Sequence, residues 1–482
     1  MSPFDAYPKQ WLIARTVPSG CVAEAELDGW KIMRAPGVPL IRLLDANGTP
    51  CGFLIGWVIR GGDWILDGGS LSLESGERPD DALEHACGRF VWLWKEGAHL
   101  RIGLDAGGLL PAVWSTELGA IASTPTVLGL LGPVRSDAAL EAVFAFPKRR
   151  GFFPFGLTSW QGISRLLPNH ELDLETMESV RTWPPRPIVK LAADDAAGFE
   201  RALDEIVSLV QPVVEAIVRR GRGRAILYLS AGHDSRMTLA ACRDVRDEMI
   251  CETIGSHRSF EVMLARRVAE AAGVRHQNLE IVPPTDADID AWLHRTGRCI
   301  YDPVTRLVAT VVRHDRGYHA ITGSCAEILR ASNWSKEDPA QDVIDLATLL
   351  KRIRMPGQGG IAEAGAAWMG ELPELKRTDL LDIAKIEMIY GCWAGPSVYG
   401  HPIDHPSMHP FNIRRIYALS LTLPDTAKLS GKVYRAFVQR LWPELLKVPV
   451  NRATGLDRLR YPKEELQRMM PKKLKQLIKP FR

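Results

Sequence analysis

The stretch AILYLSAGHDSR at residues 225–236 constrains this chain more than any other. The run RAILYL at 224–229 is almost wholly apolar, as in strands buried on both faces of a parallel sheet. It leads straight into a Ser/Gly turn that opens a helix expected over 235–242. A second cycle follows: strand 249–254, helix 260–272 (FEVMLARRVAEAA) stopped at Gly273, and strand 277–282. Alternation of this length makes βαβ units, hence a parallel sheet with helices on its faces. Small residues at the end of such a strand let consecutive backbone N–H groups face a phosphate, and the helix N-terminus adds its partial positive charge. Ser230, Gly232, Asp234 and Ser235 supply these parts, with Asp234 able to hold Mg²⁺. The spacing is not that of the GxxxxGK[ST] phosphate loop. The plain alternative is an ordinary strand-to-helix turn with Ser235 as N-cap.

The rest of the chain divides in two. Up to about residue 190, short apolar runs such as CGFLIGWVI (51–59) and GRFVWLW (88–94) alternate with Gly-containing turns, so this part is expected to be strand-rich. WPPRP at 183–187 interrupts any regular element and marks the boundary between 1–190 and 191–482. Beyond it, 197–219 has apolar residues at helical spacing with a kink expected at Pro212, and 340–445 reads as largely helical. Sixty Lys+Arg against 57 Asp+Glu leave a formal charge of +3, which points to no nucleic-acid partner from overall charge. No run approaches 18 apolar residues, the start MSPFDAYPKQWLIART lacks a charged segment before an apolar core, and the eight cysteines include no CxxC pair. A soluble cytoplasmic protein with reduced thiols and no membrane partner is expected.

The loop resembles the SGGxDS pyrophosphate loop of the asparagine synthetase family, with Ala231 in place of the first Gly. FEVMLARRVAEAAGVRHQNLEI (260–281) resembles the helix–strand unit that follows it there, and ITGSCAEIL (321–329) the Gly-rich strand end with its acidic pair, of which only Glu327 remains beside Ala326. IEMIYGCWAG (386–395), HPFNIRRIYALSLTLP (409–424) and LSGKVYRAF (429–437) are similar to the later helical segments, so the resemblance spans roughly 190–455. In the first half, residues 88–124 resemble the family's glutaminase-like layer, with Gly88, Asp105 and Gly108 matching, but Ser2 and Pro3 stand where a nucleophilic cysteine is required, and the first cysteine is Cys21. No glutaminase activity is expected.

The resemblance implies an α/β plus α+β protein: an Ntn-hydrolase-like sandwich over 1–190, serving as a silent scaffold or docking surface, and a parallel-sheet adenine-nucleotide synthetase domain over 191–482. The implied reaction is amide formation through an acyl-adenylate, using ATP and Mg²⁺, on a small-molecule or peptide carboxylate with ammonia or a substrate amine as acceptor. β-Lactam synthetases and lasso-peptide cyclases are similar cases, which admits a precursor peptide or partner protein. By the same resemblance Leu229, Ser230, Ala231, Gly232, Asp234, Ser235, Ile254, Thr322 and Gly323 bind the nucleotide, and Asp234 and Glu327 bind metal. Lys432 is a phosphate-side cation, and Glu387 with Tyr390, three apart on one helical face, orient an amine.

Plainer alternatives stand beside these roles: a solvated or N-capping glutamate for Glu327, a structural role for Lys432, and packing or surface roles for Glu387 and Tyr390. VNRATG (450–455) lacks the family's lysine, for which Arg452 or Lys447 could substitute. His401, His405 and His409 are each followed by proline, which favours a histidine-rich loop near the site over a helical metal face. Residues 459–482 form a basic amphipathic tail, with Arg460, Lys463, Arg468 and Lys472 among eight cations, suited to an acidic peptide or to solvent. Competing functions are a tRNA-modifying enzyme with a related pyrophosphate loop, and a non-catalytic regulator on a synthetase-like fold.

Overall fold

The computed structural model describes residues 2–452 apart from 148–150, 185–186, 302–304, 316, 373 and 404. The basic tail at 459–482, and the end of VNRATG, lie outside the described residues. The protein is a mixed α/β structure with several sheets, one of them parallel.

The first part of the chain supplies two larger sheets. One contains β1 (Trp11–Ala14), flanked by antiparallel partners at 30–34 and 120–122. The other is built on β2 (Pro50–Arg60), β3 (Cys87–Glu96), β4 (His99–Leu104) and β5 (His170–Asp173), paired antiparallel. Inward residues of both, including Leu12, Ile13, Ile55, Trp57, Val91 and Leu93, enter one buried cluster. Gly88 is required where β2 and β3 pair, because a Cβ there would come within 2.2 Å of the Trp57 carbonyl oxygen. Asp105, just past β4, accepts hydrogen bonds from the N–H groups of Phe90, Gly107, Leu109 and Leu110 and from the Asn412 amide. It fixes the turn after β4 and ties it to the second half of the chain.

That second half is organised on four parallel strands: β6 (Ala225–Tyr228), β7 (Met249–Ile254), β8 (His276–Leu279) and β9 (His319–Ile321), in the order β8-β7-β6-β9. The chain moves outward from β6 through β7 to β8 and then returns to the other side of β6, so the strand order reverses between β6 and β9. Helix α1 (Ala196–Gly221) runs through Pro212 as one element, with Pro212 packed on Gly62 of the antiparallel half. Helix α2 (Asp234–Ala241) follows β6, and α3 (Phe260–Ala272) is capped by the Ser259 side chain and ends on Gly273 at φ 65°. The apolar core is continuous between the halves, since Trp11, Ile55, Ile206, Leu227 and Phe411 belong to the same cluster.

Candidate functional site

The reversal between β6 and β9 leaves a crevice at the carboxyl ends of the strands, the position at which open α/β sheets bind ligands. Loop 229–233 leaves β6 there and opens α2. Its shape is set from within: the Ser230 N–H donates to Ser235 Oγ at 3.0 Å, the two serine hydroxyls lie 2.9 Å apart, and the Gly232 N–H donates to Ser230 Oγ at 3.2 Å. The first residue of α2 is Asp234 rather than Ser235, and no side chain caps the helix. Ser235 therefore closes the loop instead of serving as the N-cap.

Gly323 packs against this turn so closely that a Cβ would sit 2.4 Å from the Ser235 nitrogen. Gly323→Ala is expected to force the turn after β9 away from α2, costing about 1–3 kcal/mol. Urea unfolding checks this, and wild-type stability would show that the contact does not constrain the turn.

Two cavities lie beside the loop. The inner one, about 340 Å³, is mostly apolar and is lined by Leu229, Ser230, Ile254, Thr322, Trp393 and His409 among others. The outer one, about 500 Å³, is lined by His233, Arg330 and Arg435 facing Tyr434 and 448–450, with Lys428 behind them paired to Asp382. Segment 407–409 pairs with the end of β9, since the Met408 N–H donates to Ala320 O and the Thr322 N–H to Met408 O. The histidine loop is thereby brought against the crevice: His401 and His409 line the inner cavity, and His409 Nδ1 lies 2.9 Å from Thr322 Oγ1.

Ala231 is buried against Met263 and Leu264, and its carbonyl accepts from the Asn451 N–H at 3.2 Å. Asp234 is held by Arg330 in a bidentate pair at 2.8 and 2.6 Å. Burial works against the Arg330 cation, but its bonds to Asp234 and the charges of Asp234 and Glu327 outweigh burial, and its pKa lies above the ordinary value. Glu327 accepts from the Tyr390 hydroxyl at 3.3 Å, so Asp234, Arg330, Glu327 and Tyr390 form one cluster. Burial, then the Glu327 charge, drives the Tyr390 phenol well above its usual range, so it stays a donor. His233 is drawn below its ordinary pKa by burial and by Arg330.

Two expectations are corrected. Residues Lys385–Ala394 form a π-helix, whose wider turn separates positions three apart that an α-helix would align. Tyr390 consequently faces Glu327, whereas Glu387 is buried elsewhere, accepting from Asn169 at 2.7 Å, Trp368 at 2.6 Å and Arg181 at 3.0 Å. Lys432 does not line the outer cavity; its ammonium rests on the Phe199 ring, 4.1 Å from the centroid, and Arg330 and Arg435 line that cavity instead.

Several residues of the site carry no local sequence signal. Arg236, fully buried in α2, donates to the carbonyls of Leu445, Val448 and Pro449 and so pins this segment beside the loop. Arg330 belongs to this group as well. At the base of the inner cavity Glu252 on β7 lies against Asp315, which also accepts from the Tyr228 hydroxyl, while Gln277 donates to Glu252. Burial, then the Asp315 charge, pushes the Glu252 carboxyl up to about 8.

The folded state thus keeps a proton that the unfolded chain loses near 4.5. The contribution of this group to stability is greatest below that pH and is lost as pH rises through about 8. Thermal melts between pH 5 and 9 are expected to show Glu252→Gln gaining on the wild type as pH rises. A constant difference would contradict the raised Glu252 pKa.

Among the described residues no three His, Cys, Asp or Glu side chains cluster as a metal site, and no helix is long and apolar enough to cross a membrane. Mg²⁺ bound through nucleotide phosphates needs only one or two carboxylates; of the two expected here, Asp234 is engaged by Arg330 and Glu327 accepts from Tyr390.

No family model matches the chain, and no curated protein matches it. Among solved structures it is similar to glutamine-dependent NAD+ synthetase from Acinetobacter baumannii in complex with adenosine diphosphate, at 21% identity and a TM-score of 0.17. That match covers 33% of this chain, which spans 30% of the length of that protein.

Proposed function

We propose that this protein is an ATP-dependent, AMP-forming carbon–nitrogen ligase, with 191–482 as its synthetase domain and 1–190 as an amidotransferase-like layer without glutaminase chemistry. The observation that carries this reading is the placement of loop 229–235 at the strand-order reversal, between a mostly apolar cavity and one to which Arg330 and Arg435 contribute. Adenosine fits the apolar side, along Leu229, Ile254 and Thr322, and the phosphates fit the loop and the side of Arg330 and Arg435.

A carboxylate substrate attacks the α-phosphate, the bond to pyrophosphate breaks, and an amine or ammonia then displaces AMP from the acyl-adenylate. The protein's part is positioning and charge stabilisation. Loop N–H groups other than those of Ser230 and Gly232, together with His233 and Arg435, receive phosphate oxygens, and Arg330 exchanges its Asp234 partner for phosphate. Asp234 and Glu327 would hold Mg²⁺, which when bound would supply charge neutralisation on the polyphosphate. Tyr390 keeps its proton and steers Glu327.

A second reading, a nucleotide-binding regulator, draws on the closed Asp234–Arg330 pair, which occupies the metal-binding carboxylate. ATP–pyrophosphate exchange measured over a panel of amino acids, dicarboxylates and peptides separates the two. Exchange that depends on one carboxylate supports the ligase, and Mg·ATP binding without exchange across the panel supports the regulator. Absence of both removes the nucleotide reading altogether.

A further inference from the structure

The antiparallel half reaches into the inner cavity with a charge. Arg89, on β3, is only 2% exposed and lines that cavity. Its Nε donates to the Ser407 carbonyl at 2.7 Å, Nη1 to the Leu109 carbonyl, and Nη2 to His409 Nε2 at 2.6 Å and to the Ser407 hydroxyl at 3.4 Å. All of these partners are neutral. His409 accepts on Nε2 and so carries its hydrogen on Nδ1, toward Thr322, and burial, then the Arg89 charge, holds its pKa well below the ordinary value.

Asp105 acts on Arg89 through space, its oxygens being occupied by four backbone N–H groups and Asn412. Burial draws the Arg89 pKa down to about 10, against the pull of Asp105, so the group is still a cation at neutral pH. A buried guanidinium whose direct contacts are all neutral, offset only through space by Asp105, remains costly on the wall of a ligand-sized cavity, and a directly bound anion would lower that cost. Of its five N–H groups, these bonds leave one on Nη1 unused.

We propose that Arg89, with the Ser407 hydroxyl, forms an oxyanion subsite at the inner end of this cavity, so that the molecule bound there presents a carboxylate or phosphate to the antiparallel half. The inference deepens the ligase reading, on which it rests for the cavity's role, by making the substrate an acid recognised at a second point away from the loop. It also gives residues 1–190 a part in binding.

Titration calorimetry on the full-length protein tests it, with succinate and inorganic phosphate as separate probes. The wild type is expected to bind one of them, Arg89→Gln to weaken that binding at least tenfold, and Ser407→Ala to weaken it two- to fivefold with an unchanged melting temperature. Sensitivity of succinate alone assigns a carboxylate, and sensitivity of phosphate alone assigns a phosphate group.

Should Arg89→Gln fail to fold, Arg89→Lys, which keeps the charge but loses the fork, and Ser407→Ala decide the matter. Anion affinity insensitive to these changes, as for phosphate seated on the loop, overturns the proposal. So does a wild type that binds Mg·ATP but neither anion. Arg89-dependent anion binding without Mg·ATP binding leaves the subsite standing and removes the nucleotide reading.

Discussion

Asp234→Ala is expected to lower ATP–pyrophosphate exchange by at least about 100-fold, the scale seen when one preorganised charge at a phosphoryl or acyl centre is removed. The same change should barely alter stability. The Asp234–Arg330 pair is partly open to solvent, with side-chain exposures of 19% and 33%, and such pairs contribute about 1 kcal/mol or less. Arg330→Ala separates the two roles of that pair. With the arginine gone, Asp234 is free for metal from the outset, so the dependence of exchange on Mg²⁺ should shift to lower concentration even as the maximal rate falls. Full exchange activity in Asp234→Ala, measured on folded protein, would remove the loop from the mechanism.

The largest stability effect is expected at Glu387. Its carboxylate is fully buried and serves Arg181, Asn169 and Trp368, and Arg181 is itself only 8% exposed. Burial works against the Arg181 cation, yet the charge and bonds of Glu387, then those of Glu371, hold its pKa above the ordinary value. Glu387→Ala leaves this cation with Glu371 alone and strands the Trp368 and Asn169 donors, a loss of about 3 kcal/mol in chemical denaturation. An alanine variant of wild-type stability that retains exchange but fails in amine transfer would instead restore Glu387 to the amine site.

These two residues show what the sequence discloses and what it withholds. The strand–turn–helix at 225–236 was legible because everything that builds it is local: an apolar strand, small turn residues and a helix within twelve positions. Parallel topology was legible for the same reason, as alternation over 224–282 admits few arrangements. The partners of the site were not. Arg330 meets Asp234 across 96 positions, and Arg89 meets His409 across 320, and nothing near either arginine distinguishes it from a surface cation. Glu387 was misread for a conformational reason, since the π-helical turn at 385–394 redirects side chains that an α-helical reading aligns. Lys432 shows the limit of matching a motif: its position in LSGKVYRAF is met, but its side chain turns to Phe199.

The bonds that join the halves have a consequence for how the molecule comes apart. Lys9 donates to the carbonyls of His401 and Ile403, Arg89 to that of Ser407, Tyr399 to that of Pro111, Asn412 to that of Gly88, and Arg181 reaches Glu387. Each crosses from one half to the other within a shared apolar interior. Neither half therefore owns a finished interior, and separating them would bare the same apolar faces that melting bares. Fission of the gene at the proline-rich junction would yield two sticky fragments, each lacking what the other covers. The antiparallel half would be indispensable whatever its chemistry, as the missing wall of its neighbour's house.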